Sequence, residues 1–569
     1  SWMSRAYQPP PEQQVSRCAE SMRLLSHMQR ELRPGFRWRG GSCLAAALVA
    51  LTVPQGAPAQ PGDAGSALLT RAERTGYRET TGYDEVVQLV ESAAALSDRV
   101  HAASFGMTVE GRSLPLVVVG DVPDARSASV IAPGRIRVWL QANIHGGEVC
   151  GKEALLMLLR DLVNGGHEAW QSSLILLIAP IYNADGNERM ALDNRLYQLG
   201  PVGGTGTRRN SQGLDLNRDH MKLESPEARA LVGAYADYDP HVVIDLHTTN
   251  GTQHAYHLTY APPLHPNTHP AIDTLLRDEW LPAVSDAVRA SDGWEFYHYG
   301  NVPRAAGAEP SWRTFDHRPR FNNNYVGLRN RFALISEAYA YAPFEERVAA
   351  TLRFVEESLA FAHEHAARIA ALTAEADGAP VAGRSLAVRA VPRRSPEPVE
   401  ILLGRTEEVP HPETGEPMRR RLDVLEPTLM AEYVAFEPAA DGLEVAPASY
   451  YVPAALESVV DLLAAHGVEA ESLEADTIVG VEQFVISSTS LSARLFEDHH
   501  ERTVEGAWEA AERTVPAGTL AVPVTPRLGR LVFALLEPRS DDGIVNWNLL
   551  DERIETEPIY PILRVPAEP

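Results

Sequence analysis

The segment NIHGGEVCGKEALLMLLRDL, residues 143–162, sets His145 and Glu148 three apart where an apolar run ends and an amphipathic pattern begins. An imidazole leaving a strand and a carboxylate starting a helix can face one cation, and the two glycines between them let the backbone turn tightly. A catalytic zinc takes three protein ligands and keeps a fourth position for water, and His/Glu/His is an established set. The third ligand should then be a distant histidine at another strand end. VVIDLHTTNG, residues 242–251, offers His247 in that place. Spacing alone decides little, because 19 histidines and 76 acids in 569 positions supply roughly two or three such pairs by chance. A second pair, His466 and Glu469, ends an amphipathic segment without companions and is read as ordinary. An isolated buried histidine such as His247 is usually structural, but beside the first pair a shared cation becomes the better reading.

These residues need elements to bring them together. From about 80 to 370, apolar runs of five to eight residues alternate with helical patterns, the signature of an α/β sheet. The strand candidates are 135–144, 173–180, 241–247 and 331–337, each ending in a polar residue. In mixed, mostly parallel sheets flanked by helices, binding sites gather beyond the carboxyl ends of strands, so such endings can converge. A long helical pattern, 343–376, closes this unit. A Pro/Arg/Gly-rich stretch, 377–398, reads as a linker. Beyond it, 399–569 reads as a mostly β accessory domain interrupted by one helix, 453–467, whose end carries a glycine suited to a cap.

Composition limits the partners. A formal charge of −25 with no evident Lys/Arg cluster argues against nucleic acid, whose phosphates are bound through such clusters. Residues 1–59 read as an upstream piece and a signal peptide: Arg30, Arg33, Arg37 and Arg39 precede the apolar run 43–53, and Ala57-Pro58-Ala59 supplies small residues for cleavage. Met28 offers a conventional start, which fits a chain opening on Ser1. The run is too short for a membrane span, which needs about 20 apolar residues. Cleavage near Ala59 would send the catalytic unit, residues 60–376, and the C-terminal region with it to a secreted or periplasmic location. It removes seven arginines and three glutamates, taking the formal charge from −25 to −29. It also removes Cys18 and Cys43, leaving Cys150 alone and no intrachain disulfide. Beside Glu148, Cys150 reads as a small buried hydrophobe rather than a thiolate ligand. His499 and His500, in EDHHERT, read as a solvated turn.

Across roughly 75–370 the chain resembles the zinc carboxypeptidase family, the carboxypeptidase A/B-like metallopeptidases. The resemblance rests on HGGE (145–148), PIYNADGNE (180–188), TRRNSQGLDLNRD (207–219), SPEARAL (225–231), DLHTTNG (245–251) and ISEAYAY (335–341), in the family's order. It implies a zinc exopeptidase-like fold and one Zn2+ held by His145, Glu148 and His247, with Glu337 as the base that activates water. Asn217 and Arg218 look like the clamp on a terminal carboxylate, a task suited to a planar guanidinium. Asp215 resembles the acid that orients His145 through its other ring nitrogen. Arg208 matches the arginine that stabilises the oxyanion, with Arg209 as the neighbouring alternative. Tyr325 is the candidate for the family's mobile tyrosine, although it lies nearer Glu337 than the family places it and Phe315 occupies the expected place.

The resemblance therefore implies a secreted zinc metallocarboxypeptidase acting on a peptide or small amide with a free carboxylate. Two other readings share these residues. One is an N-acyl amino acid amidohydrolase of the aspartoacylase or succinylglutamate desuccinylase type, which has similar DLHTT and DLNR segments. The other is a non-catalytic binding protein that keeps the fold. The oligomeric state and the preferred terminal residue are not written in these motifs. For the accessory domain the expectation is a role in stability or substrate access.

Overall fold

The computed structural model describes residues 68–249, 251–305 and 307–567, so the expected export segment lies outside the described residues. At its centre is one mixed sheet. Its strands are β1 (Val100–Met107), β2 (Ser113–Val119), β3 (Ile136–Ala142), β4 (Leu174–Ala179), β5 (Val242–Thr249), β6 (Leu258–Ala261) and β7 (Phe296–His298), with β9 (Phe332–Tyr339). The short β8 (Ser311–Arg313) lies elsewhere. The order across the sheet is β1-β2-β4-β3-β5-β9-β6-β7. The inner strands β4, β3, β5 and β9 run parallel, while β1, β2 and β6 join by antiparallel pairs. All four strands expected from sequence form, within two residues of the expected ends.

The inner strands are near-continuous apolar runs because both faces are covered: every residue of β3, β4 and β5 is buried. Helices α2 (Cys150–Val163) and α4 (Phe344–Glu364) pack on these inner strands, and α1 (Tyr83–Leu96) and α3 (Pro226–Tyr238) pack on the sheet beside β1. Ser225 caps α3 by accepting from the Ala228 amide, and Pro226 follows at the first helical position, where its missing N–H costs nothing. The Ser225 hydroxyl also donates to Asp219 at 2.6 Å, so the start of α3 is tied to the loop that precedes it. The single helix expected over 343–376 is two, α4 and Ala366–Gly378, separated at His365, whose backbone leaves helical geometry.

The stretch expected as a linker is folded. Ser385–Ala387 pairs with Leu443–Val445, and Ala390–Arg393 pairs with Ala435–Pro438. Beyond it the chain is mostly β as expected, built around a six-stranded sheet whose longest members are Thr477–Leu491 and Arg502–Val515. The expected accessory helix forms over Glu457–Ala465, and Gly467 takes the left-handed conformation of a C-terminal cap. This region is not set apart from the catalytic one. β8 leaves the catalytic region to pair in parallel with Ala431–Tyr433, Asn267 exchanges two hydrogen bonds with the Ala387 backbone, and a single apolar cluster extends from Leu68 to Ile562. No helix among the described residues is long and apolar enough to cross a membrane.

Candidate active site

Parallel neighbours β3, β5 and β9 end on one edge of the sheet, which is why residues a hundred or more positions apart meet. His145 follows β3, His247 lies on β5, and Glu337 is its register partner on β9. Glu148 reaches them through a tight turn closed by its own N–H donating to the His145 carbonyl at 2.8 Å. The left-handed residue of this turn is Asn143, with φ 63°, and its side-chain amide donates to the His145, Gly146 and Glu148 carbonyls. Gly146 and Gly147 serve differently from the sequence expectation, since neither has a positive φ. They make room: a Cβ on Gly146 would lie 2.4 Å from the Gly186 carbonyl carbon, and one on Gly147 would lie 2.6 Å from the Gly206 oxygen.

The Nδ1 atoms of His145 and His247 each lie 3.0 Å from a different oxygen of Glu148. Ligand atoms of the three residues fall within 4.8 Å of one another, the one such His/Cys/acid cluster among the described residues. Both imidazoles are backed by carboxylates. His145 Nε2 is 3.0 Å from Asp215, and His247 Nε2 is 3.1 Å from Asp245. The hydrogen bond from His145 Nε2 to Asp215 keeps that nitrogen protonated and turns the Nδ1 lone pair inward, the tautomer a metal ligand requires, and the negative charge of Asp245 close to His247 Nε2 favours the same tautomer there. Two inward nitrogens and one carboxylate, with their backing acids, fit a catalytic zinc.

The charges of these groups act on one another. Burial works against ionising Glu148, yet His145 and Arg195 hold it well below the usual carboxylate range. Burial likewise opposes a charged His247, but Asp245 and Glu148 outweigh it and raise the imidazole well above its ordinary value. Glu337 is the exception. Burial, with repulsion from Glu148 added and attraction to His247 opposing, pushes it up to about 8. Close carboxylates whose affinities for protons are driven apart in this way suit different tasks, one as ligand and one as proton carrier.

A cleft of about 610 Å³ opens over these residues, lined by His145, Glu148, Arg208, Asn217, Arg218 and Glu337 together with Thr248, Tyr299, Phe315 and Phe321. Arg208 is held by Asp215, with its Nε 2.9 Å from Oδ2, while its Nη1 reaches to 3.4 Å from His145 Nδ1. Arg209 turns away to Glu497, so of the two neighbours Arg208 is the one in the cleft. Arg218 stacks on Phe321 with its guanidinium carbon 3.9 Å from the ring centroid, and burial lowers its pKa against the pull of Asp215. Asn217 accepts from the Asn322 amide at 3.0 Å.

Tyr325 is a correction. It is fully buried away from the cleft, hydrogen-bonded to His466 Nδ1 at 2.9 Å and to Arg329 at 3.2 Å. The α-helix over Asn322–Leu328 turns it into the core. The phenol in the cleft is Tyr299, whose hydroxyl accepts from Asn301 and is pushed up to about 12 by burial and by Glu337. Arg195, which donates to Glu148 at 2.6 Å, also escaped the sequence reading because nothing in its surroundings marks it. Asp245 left a signal: two positions before His247 on a strand, it must share that residue's face. Cys150 is buried as expected, with its thiol pKa raised by burial. His466 is a satisfied core histidine, hydrogen-bonded to Tyr325 and to the Met221 carbonyl. His499 is no solvated turn residue, being held between Glu224 and Asn548.

Residues 86–261 match the family model described as zinc carboxypeptidase. The stretch contains His145, Glu148, Arg208, Asp215, Asn217, Arg218 and His247, whereas Glu337 lies beyond it. Carboxypeptidase 2 of Trichophyton rubrum is 22% identical over 485 residues, covering 82% of each chain. Carboxypeptidase D of Homo sapiens is 33% identical over 172 residues, 25% of this chain and 12% of that one. A solved carboxypeptidase A from Helicoverpa armigera aligns over 52% of this chain and 75% of its own, with 16% identity and a TM-score of 0.38.

Proposed function

From the match of residues 86–261 to the zinc carboxypeptidase family model, we propose that this protein is an exported metallocarboxypeptidase that removes the C-terminal residue of peptides. The observation that carries the reading is the sharing of the Glu148 carboxylate between His145 Nδ1 and His247 Nδ1 beneath Arg208 and Glu337. Export rests on the basic, then apolar, then small-residue pattern of residues 30–59.

His145, Glu148 and His247 would hold the zinc, which when bound supplies a Lewis acid for the scissile carbonyl and lowers the pKa of a water toward neutrality. The remaining work belongs to the chain. Glu337 takes the proton of the attacking water on its carboxylate and hands it to the leaving amine. Its high proton affinity suits the second half of that exchange, and positive charge nearby favours the ionised form needed for the first. Arg208, fixed by Asp215, donates to the oxygen on which negative charge develops. Arg218 and Asn217 bind the substrate's free carboxylate, with Phe321 packed against the guanidinium. Tyr299 offers a hydroxyl beside Glu337 that can hydrogen-bond the substrate backbone.

Trimming of a mixed peptide library from the C-terminus, with and without a zinc chelator, tests this. Stepwise loss of terminal residues that stops on chelation is expected. Turnover of N-acetyl-aspartate with no turnover of a blocked dipeptide would replace the peptidase with an acyl amino acid amidohydrolase.

A further inference from the structure

The long hairpin of the C-terminal β region, Thr477–Leu491 and Arg502–Val515, carries a connection that folds back onto the loop bearing the cleft residues. At its turn Phe496 and His499 exchange backbone hydrogen bonds of 2.8 and 3.0 Å, leaving Glu497 and Asp498 as the two central residues. Both are left-handed, with φ 48° and 64°. Two-residue turns of this kind favour Asn-Gly, because side chains crowd the backbone there. A glutamate followed by an aspartate is a poor choice for the turn itself, and Glu497 is also unusual in being buried, its side chain 6% exposed.

Its contacts supply the reason. Glu497 accepts from Arg209 Nη1 and Nη2 at 2.9 and 3.0 Å, and its Oε2 accepts the backbone N–H of Asp215 at 3.1 Å. Asp215 in turn serves three groups of the cleft. Its Oδ1 lies 3.0 Å from His145 Nε2 and accepts the Asn217 N–H at 3.0 Å, and its Oδ2 accepts Arg208 Nε at 2.9 Å. A carboxylate committed to so many partners can be aimed only by its backbone, and Glu497 holds that backbone. The same contact pulls Arg209 out of the cleft and leaves Arg208 in it.

We propose that Glu497, some 280 residues downstream, is a positioning residue for the active site: through Asp215 it registers the His145 imidazole, Arg208 and the Asn217–Arg218 turn. This rests on the reading of His145 as a zinc ligand. The C-terminal region then does more than stabilise the fold or screen substrates; it completes the wall that orients the first imidazole.

The test uses the full chain with Glu497→Ala, Glu497→Gln and Asp498→Gly, and Arg502→Ala as a control that cuts ties to Asp551 and Glu555 within the C-terminal region. Zinc affinity is read by chelator competition, the exchange of the Asp215 amide by mass spectrometry, and kcat/KM on a blocked dipeptide. Glu497→Ala should lose about tenfold or more in both zinc affinity and kcat/KM, with faster exchange over 208–219. Glu497→Gln, which still accepts the Asp215 N–H, should recover most of the loss. Asp498→Gly, which relaxes the turn, should keep parental zinc affinity and kcat/KM. If Glu497→Ala fails to fold, Glu497→Asp, too short by one methylene, is read in its place. Unchanged zinc affinity in the variant, or an equal loss in Arg502→Ala, overturns the role of Glu497. A parent that takes up no zinc sinks the metal-centre reading and this one with it, whereas a parent that binds zinc and a variant that binds it equally well removes only Glu497.

Discussion

The Nε2 of His247 lies 3.1 Å from a carboxylate oxygen of Asp245, its neighbour two residues back on the same strand. Asp245 is buried, and its carboxylate also accepts from the Asn322 side-chain amide at 3.1 Å. A buried acid against the outward nitrogen of a ligand histidine fixes the ring and makes its inward nitrogen more basic. Asp245→Asn, which offers the ring an amide instead, should weaken zinc binding by about 10- to 100-fold. Competition against a chelator measures it, and parental affinity in the variant would detach Asp245 from the metal centre.

Glu337 and Glu148 are both acidic residues of the cleft, yet the reading gives only Glu148 to the metal. Glu337→Gln keeps the shape and removes the proton carrier, so kcat/KM should fall by about 100- to 10,000-fold while zinc content stays at the parental level. Zinc analysis alongside a peptidase assay separates the two. A variant as active as the parent would take the base role away from Glu337.

The guanidinium carbon of Arg218 sits 3.9 Å from the Phe321 ring centroid, and Arg218 lines the cleft beside Asn217, where a planar fork of donors can meet a carboxylate. Lysine cannot reproduce the fork. With Arg218→Lys, KM for peptides with a free C-terminus should rise at least about tenfold, and the preference over C-terminal amides should shrink. Equal loss on acids and amides would mean that Arg218 does not read the terminal carboxylate.

Tyr325 shows where sequence spacing stops informing. Its distance from Glu337 is compatible with a cleft residue, but whether a side chain in Asn322–Leu328 faces the cleft or the core depends on helix phase and on the partners waiting inside, here His466 and Arg329. The four inner strands were legible because strands buried on both faces must be apolar throughout. β1 and β7 were not, since edge strands mix exposed and buried positions and depend on neighbours for their pairing, and β6, though wholly buried between β9 and β7, is only four residues long and too short to stand out. His145, Glu148 and His247 were legible only in combination, since the spacing of the first pair is near chance and His247 gains meaning from its place at a strand end beside that pair and the family resemblance. Arg195 and Glu497 were not, because their roles arise from tertiary approach without any local pattern. The folded state of 377–398 escaped for the same reason: its short strands find their partners some fifty residues downstream.

If Tyr325 is structural, Tyr325→Phe should leave kcat/KM at the parental value and cost stability. The lost hydroxyl leaves His466 Nδ1 and a buried Arg329 nitrogen each short of a partner, about 1–3 kcal/mol. Denaturant unfolding measures the loss. A variant of parental stability with a raised KM would return Tyr325 to the substrate.

The clasp between His499 and Glu224, 2.7 Å apart, joins the C-terminal turn to the loop before α3 and should make that junction pH-dependent. The hydrogen bond to Glu224 raises His499 above its ordinary 6.5, with burial opposing and Asn548 assisting. Burial opposes ionisation of Glu224, but His499 and Lys222 bring it down to about 2. The histidine's contribution is therefore complete below pH 6.5 and disappears as pH rises through its higher folded pKa, whereas the glutamate's is complete above 4.5 and disappears as pH falls toward 2. Between those limits the clasp is fully charged. Glu224 is partly exposed and keeps Lys222 as a partner at alkaline pH, so the histidine's share is a few tenths to about 1 kcal/mol. Melting the parent and His499→Gln at about pH 6 and about pH 9 should show an advantage of the parent at the lower pH that shrinks at the higher one. A difference that stays constant, or grows toward alkaline pH, would mean that the charge on His499 does not hold the junction.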